Sequence, residues 1–283
     1  MSPPLGMRGT PTRDAIEGAI TAIGAAGCET PRLDAELLLA DVLGVSRERL
    51  VVDRDLFVEG PAVRAFQNAV RRRAVEREPL AYIVGHRGFR RLDLTVDPRA
   101  LIPRPETELL VEVALSLPRG ARVLDVGTGS GAVALALKDE RPDLQVVGSD
   151  ISEDALALAR ANGERLGLDV AWLRADLLAS VPDELDAILS NPPYVAESAR
   201  ASLAPEILRH EPSGALFSGP DGLDAIRALI AQVAPRERVK MVGVEVGAGQ
   251  AEPVSDLLRG AGFGSVRAES DLAGIERVVV GER

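Results

Sequence analysis

The apolar positions change period along the chain. Between Thr12 and about Pro79 they recur at helical spacing: Ala15, Ile16, Ala19, Ile20 and Ile23 make one stripe, Leu33, Leu37, Leu38 and Val42 a second, and Val63, Phe66, Val70 and Ala74 a third. Thr12, Pro31 and Pro61 stand where helices start, and Gly27, Gly44 and Pro79 where they stop. This predicts a small helical bundle without strands. At Leu92, Leu94 and Val96 the period drops to two, which predicts a short strand or hairpin. A proline-marked loop, Leu101-Ile-Pro-Arg-Pro-Glu-Thr-Glu108, leads into a helix expected to run through Leu117.

From Arg122 onward short apolar runs alternate with helical stretches. The runs are Val123–Val126, Gln145–Gly148, Val170–Leu173, Leu185–Leu189, Met241–Val246 and Arg277–Val280; Ala132–Lys138 and Ala155–Leu166 read as helices between them. Such alternation predicts an α/β fold, a mostly parallel sheet with helices on both faces, and ligands bound beyond the carboxyl ends of its strands. The expected division is a helical domain over residues 1–82, a hairpin linker over 83–100 and a catalytic domain over 101–283.

Composition agrees with two domains. The chain has 283 residues, 46% of them apolar and 27% charged, enough for a sizeable core and for solubility. Its formal net charge is −10, so no broad basic field exists to draw in a nucleic-acid backbone. The first 85 residues hold 11 Lys and Arg against 12 Asp and Glu, the remainder 22 against 31; the acidity is concentrated in the second part. Arginine supplies nearly all the positive charge, Lys138 and Lys240 being the only lysines. Cys28 is the sole cysteine, and His86 and His210 are the only histidines, without partners at metal-ligand spacing. Neither a disulfide, a cysteine-based metal site nor a Ser-His-Asp triad is expected. The segment Met1–Gly9 lacks the apolar run of a signal peptide, and no stretch approaches the ~20 apolar residues of a membrane span, so a cytoplasmic location is expected.

Two motifs carry chemistry. The first is Asp125-Val-Gly-Thr-Gly-Ser-Gly131, between a strand and a helix; glycines at 127, 129 and 131 let the backbone approach a ligand and turn into the helix. Asp150 ends the next strand, where an acid accepts hydrogen bonds from ribose hydroxyls. Loop and acid point to an adenosine-bearing cofactor without separating a nicotinamide from S-adenosylmethionine, although the Gly-x-Gly-x-Gly spacing leans to the latter. The second is Asn191-Pro-Pro-Tyr194, which follows the run Leu185–Leu189 and so belongs to the same rim. Pro192 and Pro193 have no N–H, and a residue before proline is held extended, which frees the Asn191 and Pro192 carbonyls for a ligand. The Asn191 side-chain oxygen is a further acceptor, and Tyr194 offers a ring to a planar group. Acceptors and a ring together suit a planar NH2, found in a carboxamide or an exocyclic base amine. Such a nitrogen is a poor nucleophile; held by both N–H bonds, it can aim its lone pair at the methyl of a sulfonium.

Taken with Pro79-Leu-Ala-Tyr-Ile-Val-Gly85, Leu101–Glu108 and Asp221-Gly-Leu223, these motifs resemble the PrmC/HemK family, protein-glutamine N5-methyltransferases that modify peptide chain release factors. The resemblance covers nearly the whole chain, and Leu101–Glu108 is its most specific part. It implies a class I S-adenosylmethionine-dependent fold with a seven-stranded sheet whose last hairpin is antiparallel. It also implies an amino-terminal helical domain that grips the release factor, and a substrate glutamine in the Gly-Gly-Gln motif of bacterial class I release factors. On this resemblance Gly127, Thr128, Gly129, Ser130 and Gly131 cradle the methionine end of the cofactor and Asp150 holds its ribose, while Asp176 and Leu177 flank the adenine. Many relatives have an aromatic at the Leu177 position; leucine points to apolar packing instead of stacking. Asn191 and Pro192 accept the two amide hydrogens, Pro193 belongs with them to the substrate-binding turn, Asn191 also borders the cofactor, Tyr194 packs on the amide plane, and Arg104–Glu106 covers the site. Arg71–Arg73 offers a cationic edge to acidic side chains or a solvated face, and Glu245, at another strand end, reads equally as part of the rim or as a solvated turn, with no catalytic role assigned. Trp172 and Cys28 read as buried. Two other functions remain open at this point: methylation of an exocyclic amine of a nucleic acid such as adenine N6, and a non-catalytic module that binds the release factor or a nucleotide.

Overall fold

The computed structural model describes residues 9–53 and 55–283; the expectation about a signal peptide falls almost wholly outside them. In chain order the elements are β1 (Thr10–Pro11), α1 (Thr12–Ala25), α2 (Pro31–Leu43), α3 (Arg47–Val52), β2 (Phe57–Val58), α4 (Pro61–Ala74), α5 (Leu80–Val84), β3 (His86–Phe89) and β4 (Leu92–Thr95). Then follow α6 (Glu108–Ala114), β5 (Arg122–Val126), α7 (Ala132–Glu140), β6 (Gln145–Asp150), α8 (Glu153–Leu166), β7 (Ala171–Arg174), β8 (Ala187–Ser190), α9 (Pro205–His210), α10 (Asp224–Val233), β9 (Met241–Glu245), α11 (Ala251–Gly260), β10 (Ser265–Ser270) and β11 (Glu276–Glu282). The described residues form two compact units: those up to Gly85 with Ala204–His210, and His86–Leu203 with Glu211–Arg283.

In the first unit, helices begin where the sequence places them. Pro31 and Pro61 occupy first turns, where a missing N–H costs nothing, Gly44 closes α2 in a left-handed conformation, and Ser46 caps α3 by accepting from the Arg49 amide. Ile16, Ile23, Leu38, Leu39 and Phe66 form the core. The stripe read in α2 is displaced: Leu33 is exposed and Ala35, Leu38 and Leu39 are buried, because Asp34 turns inward to meet Arg73 at 2.6 Å. The expected absence of strands is corrected by a two-residue antiparallel ladder, Thr10 opposite Val58 and Pro11 opposite Phe57, too short to show a period. Arg71–Arg73 is not a free cationic edge. Arg71 pairs with Glu76, Arg72 forks onto Glu78, and buried Arg73 binds Asp34 and Glu206, so each charge is met by an acid of the same unit. Cys28 is buried, and burial pushes its thiol above the usual range.

The second unit is built on a seven-stranded sheet in the order β10-β11-β9-β8-β5-β6-β7. All neighbours are parallel except β11, which runs antiparallel to β9 and β10. Both faces are covered, so the central strands are mostly apolar, with Asp125, Ser190 and Glu245 toward their carboxyl ends, and alternation divides each strand between two layers. Val123, Ala187 and Leu189 pack with α6 and α7; Leu124, Ile188 and Val242 pack with α10 and α11. The hairpin β3–β4 lies in this unit, where Phe89 and Leu94 are fully buried and Arg90 forks onto Glu140. The helix expected through Leu117 ends at Ala114. Strand order reverses between β5 and β8, and at such a switch point the strand ends open a crevice. No helix among the described residues is long and apolar enough to cross a membrane.

Candidate active site

The glycine loop leaves β5 at that switch point. The amides of Gly127 and Thr128 both donate to the Ser149 carbonyl at 2.8 Å, which holds the loop against the end of β6. Buried Asp125 accepts from the Thr128 hydroxyl at 2.6 Å and from the Ala134 amide at 3.2 Å, tying the loop to the first turn of α7. Burial raises the Asp125 pKa to about 7 despite those two bonds. Gly131 has φ +85°, and a Cβ there would stand 3.0 Å from both Leu135 Cδ1 and Trp172 Cη2; the third glycine serves packing beneath the loop. At the end of β6, Asp150 accepts from the Gly129 amide at 3.0 Å and the Ser152 amide at 2.9 Å. Each oxygen uses one lone pair there, so acceptor capacity remains toward the crevice.

Because β8 pairs in parallel with β5, Asn191 emerges at the same end as Gly127. The Asn191 amide nitrogen donates to Thr107 Oγ1 at 3.0 Å, which leaves the side-chain oxygen as the free end of the amide. Tyr194 donates its hydroxyl to Glu245 Oε1 at 3.2 Å, and its backbone carbonyl accepts from Gln250 Nε2 at 3.0 Å. The Asp221-Gly-Leu223 turn fits against that carbonyl: a Cβ on Gly222 would lie 2.2 Å from it.

These elements enclose a cavity of about 460 Å³. Gly127, Thr128, Gly129, Ser130, Asp150, Asp176, Leu177, Asn191, Pro192 and Pro193 all line it. Two predicted residues stand behind the lining. Gly131 backs onto Trp172, and Tyr194 packs beside Gly247 because its largely buried hydroxyl needs a polar partner, which Glu245 supplies. The proline-marked loop contributes Pro103 and Thr107 to the wall, while Arg104, Pro105 and Glu106 do not line it. Arg104 instead binds buried Glu211 at 2.6 Å, and the other oxygen of Glu211 accepts from the Ile102 amide. Leu177 takes a left-handed φ of 51°, uncommon for leucine, at the cavity wall.

Three polar residues, Glu211, Asn162 and Thr107, have no role assigned from the sequence, and a fourth, Glu245, has one only in part. Glu211 anchors the proline loop. Asn162, wholly buried, exchanges two hydrogen bonds with Thr95 and gives a third to the Ser130 carbonyl, tying β4 to the glycine loop. Thr107 receives the Asn191 amide. Glu245 is not a solvated turn: it is 1% exposed, Oε2 has no hydrogen-bond partner, and burial raises its pKa to about 7, against the lowering effect of Thr107 and Tyr194. A strand-end glutamate followed by Val-Gly-Ala-Gly carries no mark of burial; only the sheet order places it there.

A mostly parallel seven-stranded sheet with a glycine loop, a strand-end acid and an acceptor-rich turn on one rim defines a class I methyltransferase. The fold matches that of a methyltransferase from Pyrococcus furiosus at a TM-score of 0.52 and 17% identity, over 68% of this chain and 88% of that one. Two family profiles match, Methyltransferase small domain over residues 105–219 and PrmC N-terminal domain over residues 14–85. The release factor glutamine methyltransferase of Mycolicibacterium smegmatis is 42% identical over 97% of this chain and 98% of its own length. That of Rhodospirillum rubrum is also 42% identical, over 91% and 81%. The chain belongs to the release factor glutamine methyltransferase family.

Proposed function

We propose that this protein transfers a methyl group from S-adenosylmethionine to the side-chain amide nitrogen, N5, of the glutamine in the Gly-Gly-Gln motif of bacterial class I peptide chain release factors. The observation that carries this reading is that the Gly127–Ser130 loop, Asp150 and the Asn191–Pro193 acceptors share one cavity. The residues fit the cofactor: the remaining lone pairs of Asp150 suit a ribose diol, Asp176 and Leu177 offer a polar and an apolar edge to adenine, and the glycine loop presents backbone without side-chain bulk. S-adenosylmethionine supplies an electrophilic methyl group on a sulfonium. The Asn191 side-chain oxygen and the Pro192 carbonyl accept the two N–H bonds of the carboxamide. With both hydrogens held, the nitrogen lone pair is directed across the cavity, and catalysis is positioning together with fixed dipoles. Tyr194 supports this turn from behind.

Residues 1–82 are assigned to holding the release factor away from its glutamine, and the cytoplasm, where release factors work, is the assigned location. The net charge of −10 disfavours nucleic acid as the substrate. Incubating the protein with methyl-labelled cofactor and either release factor or DNA tests this. Label in the release-factor glutamine is expected; label only in nucleic acid overturns it in favour of exocyclic-amine methylation. Asn191→Ala is expected to abolish transfer while cofactor affinity stays near wild type. Undiminished transfer by that variant would show the acceptors to lie elsewhere, and a protein that binds cofactor and release factor yet transfers nothing would be a binding module.

A further inference from the structure

A carboxamide is nearly symmetric in shape, so Asn191 rotated by half a turn would fill the same space while presenting N–H donors to the substrate's own N–H donors. The Thr107 hydroxyl, 3.0 Å from Asn191 Nδ2, holds the amide in the productive sense only while it accepts. A hydroxyl both donates and accepts, so Thr107 keeps that polarity only if its own proton is committed elsewhere. Glu245 stands at the end of β9, buried, close enough to Thr107 for the hydroxyl to favour its charged form, with Tyr194 donating to Oε1 and Oε2 without a well-formed hydrogen bond.

We propose that Glu245 and Thr107 are positioning residues that fix which end of the Asn191 amide faces the cavity. The carboxylate draws the Thr107 proton, Thr107 then accepts from Asn191, and the Asn191 oxygen is left for the substrate. Glu245 also receives the Tyr194 hydroxyl, so a single carboxylate orients both ends of the Asn191–Tyr194 turn. The inference rests on the reading of Asn191 as an amide acceptor. The arrangement requires Glu245 to be ionised. The charged groups that act on it are Glu106, which opposes ionisation, and Arg277, which favours it, and its neighbours Thr107 and Tyr194 stabilise the charge. Glutamine at 245 would carry an amide able to donate to Thr107 and so reverse the chain of bonds.

The test uses the full-length protein with a release factor as substrate. Thr107→Val, which keeps the shape and removes the hydroxyl, is expected to lower kcat by roughly 10–100-fold, with the cofactor dissociation constant near wild type and a modest fall in melting temperature. Thr107→Ser, which restores the hydroxyl, is expected to recover most of that loss. Wild-type kcat is expected to rise with pH through a group near 7, and Glu245→Gln to be slow with this limb absent. Asn191→Ala is the companion variant. If it is inactive while Thr107→Val turns over like wild type, or if Thr107→Ser is as impaired as Thr107→Val, the positioning proposal is overturned and the acceptor reading stands. If Asn191→Ala is itself fully active, the acceptor reading falls and this inference with it.

Discussion

Replacing Gly222 with alanine isolates the fit between the Asp221-Gly-Leu223 turn and the Asn-Pro-Pro-Tyr segment. Gly222 has φ +83°, and its new Cβ would meet the Tyr194 carbonyl oxygen at 2.2 Å and Gln250 Nε2 at 2.9 Å. A left-handed backbone costs an L-residue roughly 1–2 kcal/mol. Overpacking against backbone that cannot rotate away adds about 1–3 kcal/mol. Pushing the carbonyl aside loosens its bond from Gln250, on the order of 1 kcal/mol more. The expected destabilisation is therefore about 3–6 kcal/mol, which for a unit of this size lowers the melting temperature by roughly 6–24 °C. Gly167→Ala is the control, because Gly167 has φ +67° and a Cβ there would have no heavy atom within 4 Å, so it bears only the backbone cost. Thermal unfolding by circular dichroism compares the two. Melting of Gly222→Ala within a few degrees of Gly167→Ala would refute the clash and with it the close fit of this turn.

Asp150→Ala should weaken S-adenosylmethionine binding by about 10–100-fold in calorimetry, as hydrogen bonds to a charged acceptor are lost; unchanged affinity would remove Asp150 from the cofactor site. Asn162→Ala should destabilise the protein by roughly 2–4 kcal/mol in urea denaturation, since it strands the buried Ser130 carbonyl and the partly buried backbone groups of Thr95. Asp125, with its pKa raised from 3.8 to about 7, keeps a proton in the folded chain that the unfolded chain has already released. Its stabilisation is complete below about pH 4 and is lost as pH rises to about 7, at up to ~1.4 kcal/mol per pH unit. Asp125→Asn should accordingly flatten the pH dependence of the urea midpoint between about pH 5 and 7, and an unaltered slope would contradict this.

What the sequence disclosed and what it withheld differ in kind. The helix starts at Thr12, Pro31 and Pro61, the strand runs from Val123 to Val280 and the glycine loop with Asp150 rest on local pattern, turn chemistry and period, all written within a few residues. The Thr107–Asn191 and Glu211–Ile102 bonds join positions 84 and 109 residues apart, and no periodic signal spans such distances. Tyr194 illustrates the limit within a single motif. Its neighbours Asn191 to Pro193 reach the cavity as the proline geometry requires, yet its ring follows a buried carboxylate that accepts the hydrogen bond of its hydroxyl, and that carboxylate comes from another strand. The β1–β2 ladder was illegible for the opposite reason, since two residues cannot display alternation.

Trp172 is the only tryptophan of the chain, and it lies beneath the glycine loop, against the positions where Gly131 and Gly148 lack side chains. The molecule thus carries its own optical probe. With excitation chosen to spare the two tyrosines, all emission comes from one indole packed under the loop, and a change in that emission on adding cofactor to the unlabelled protein is the expected sign that the loop has been filled.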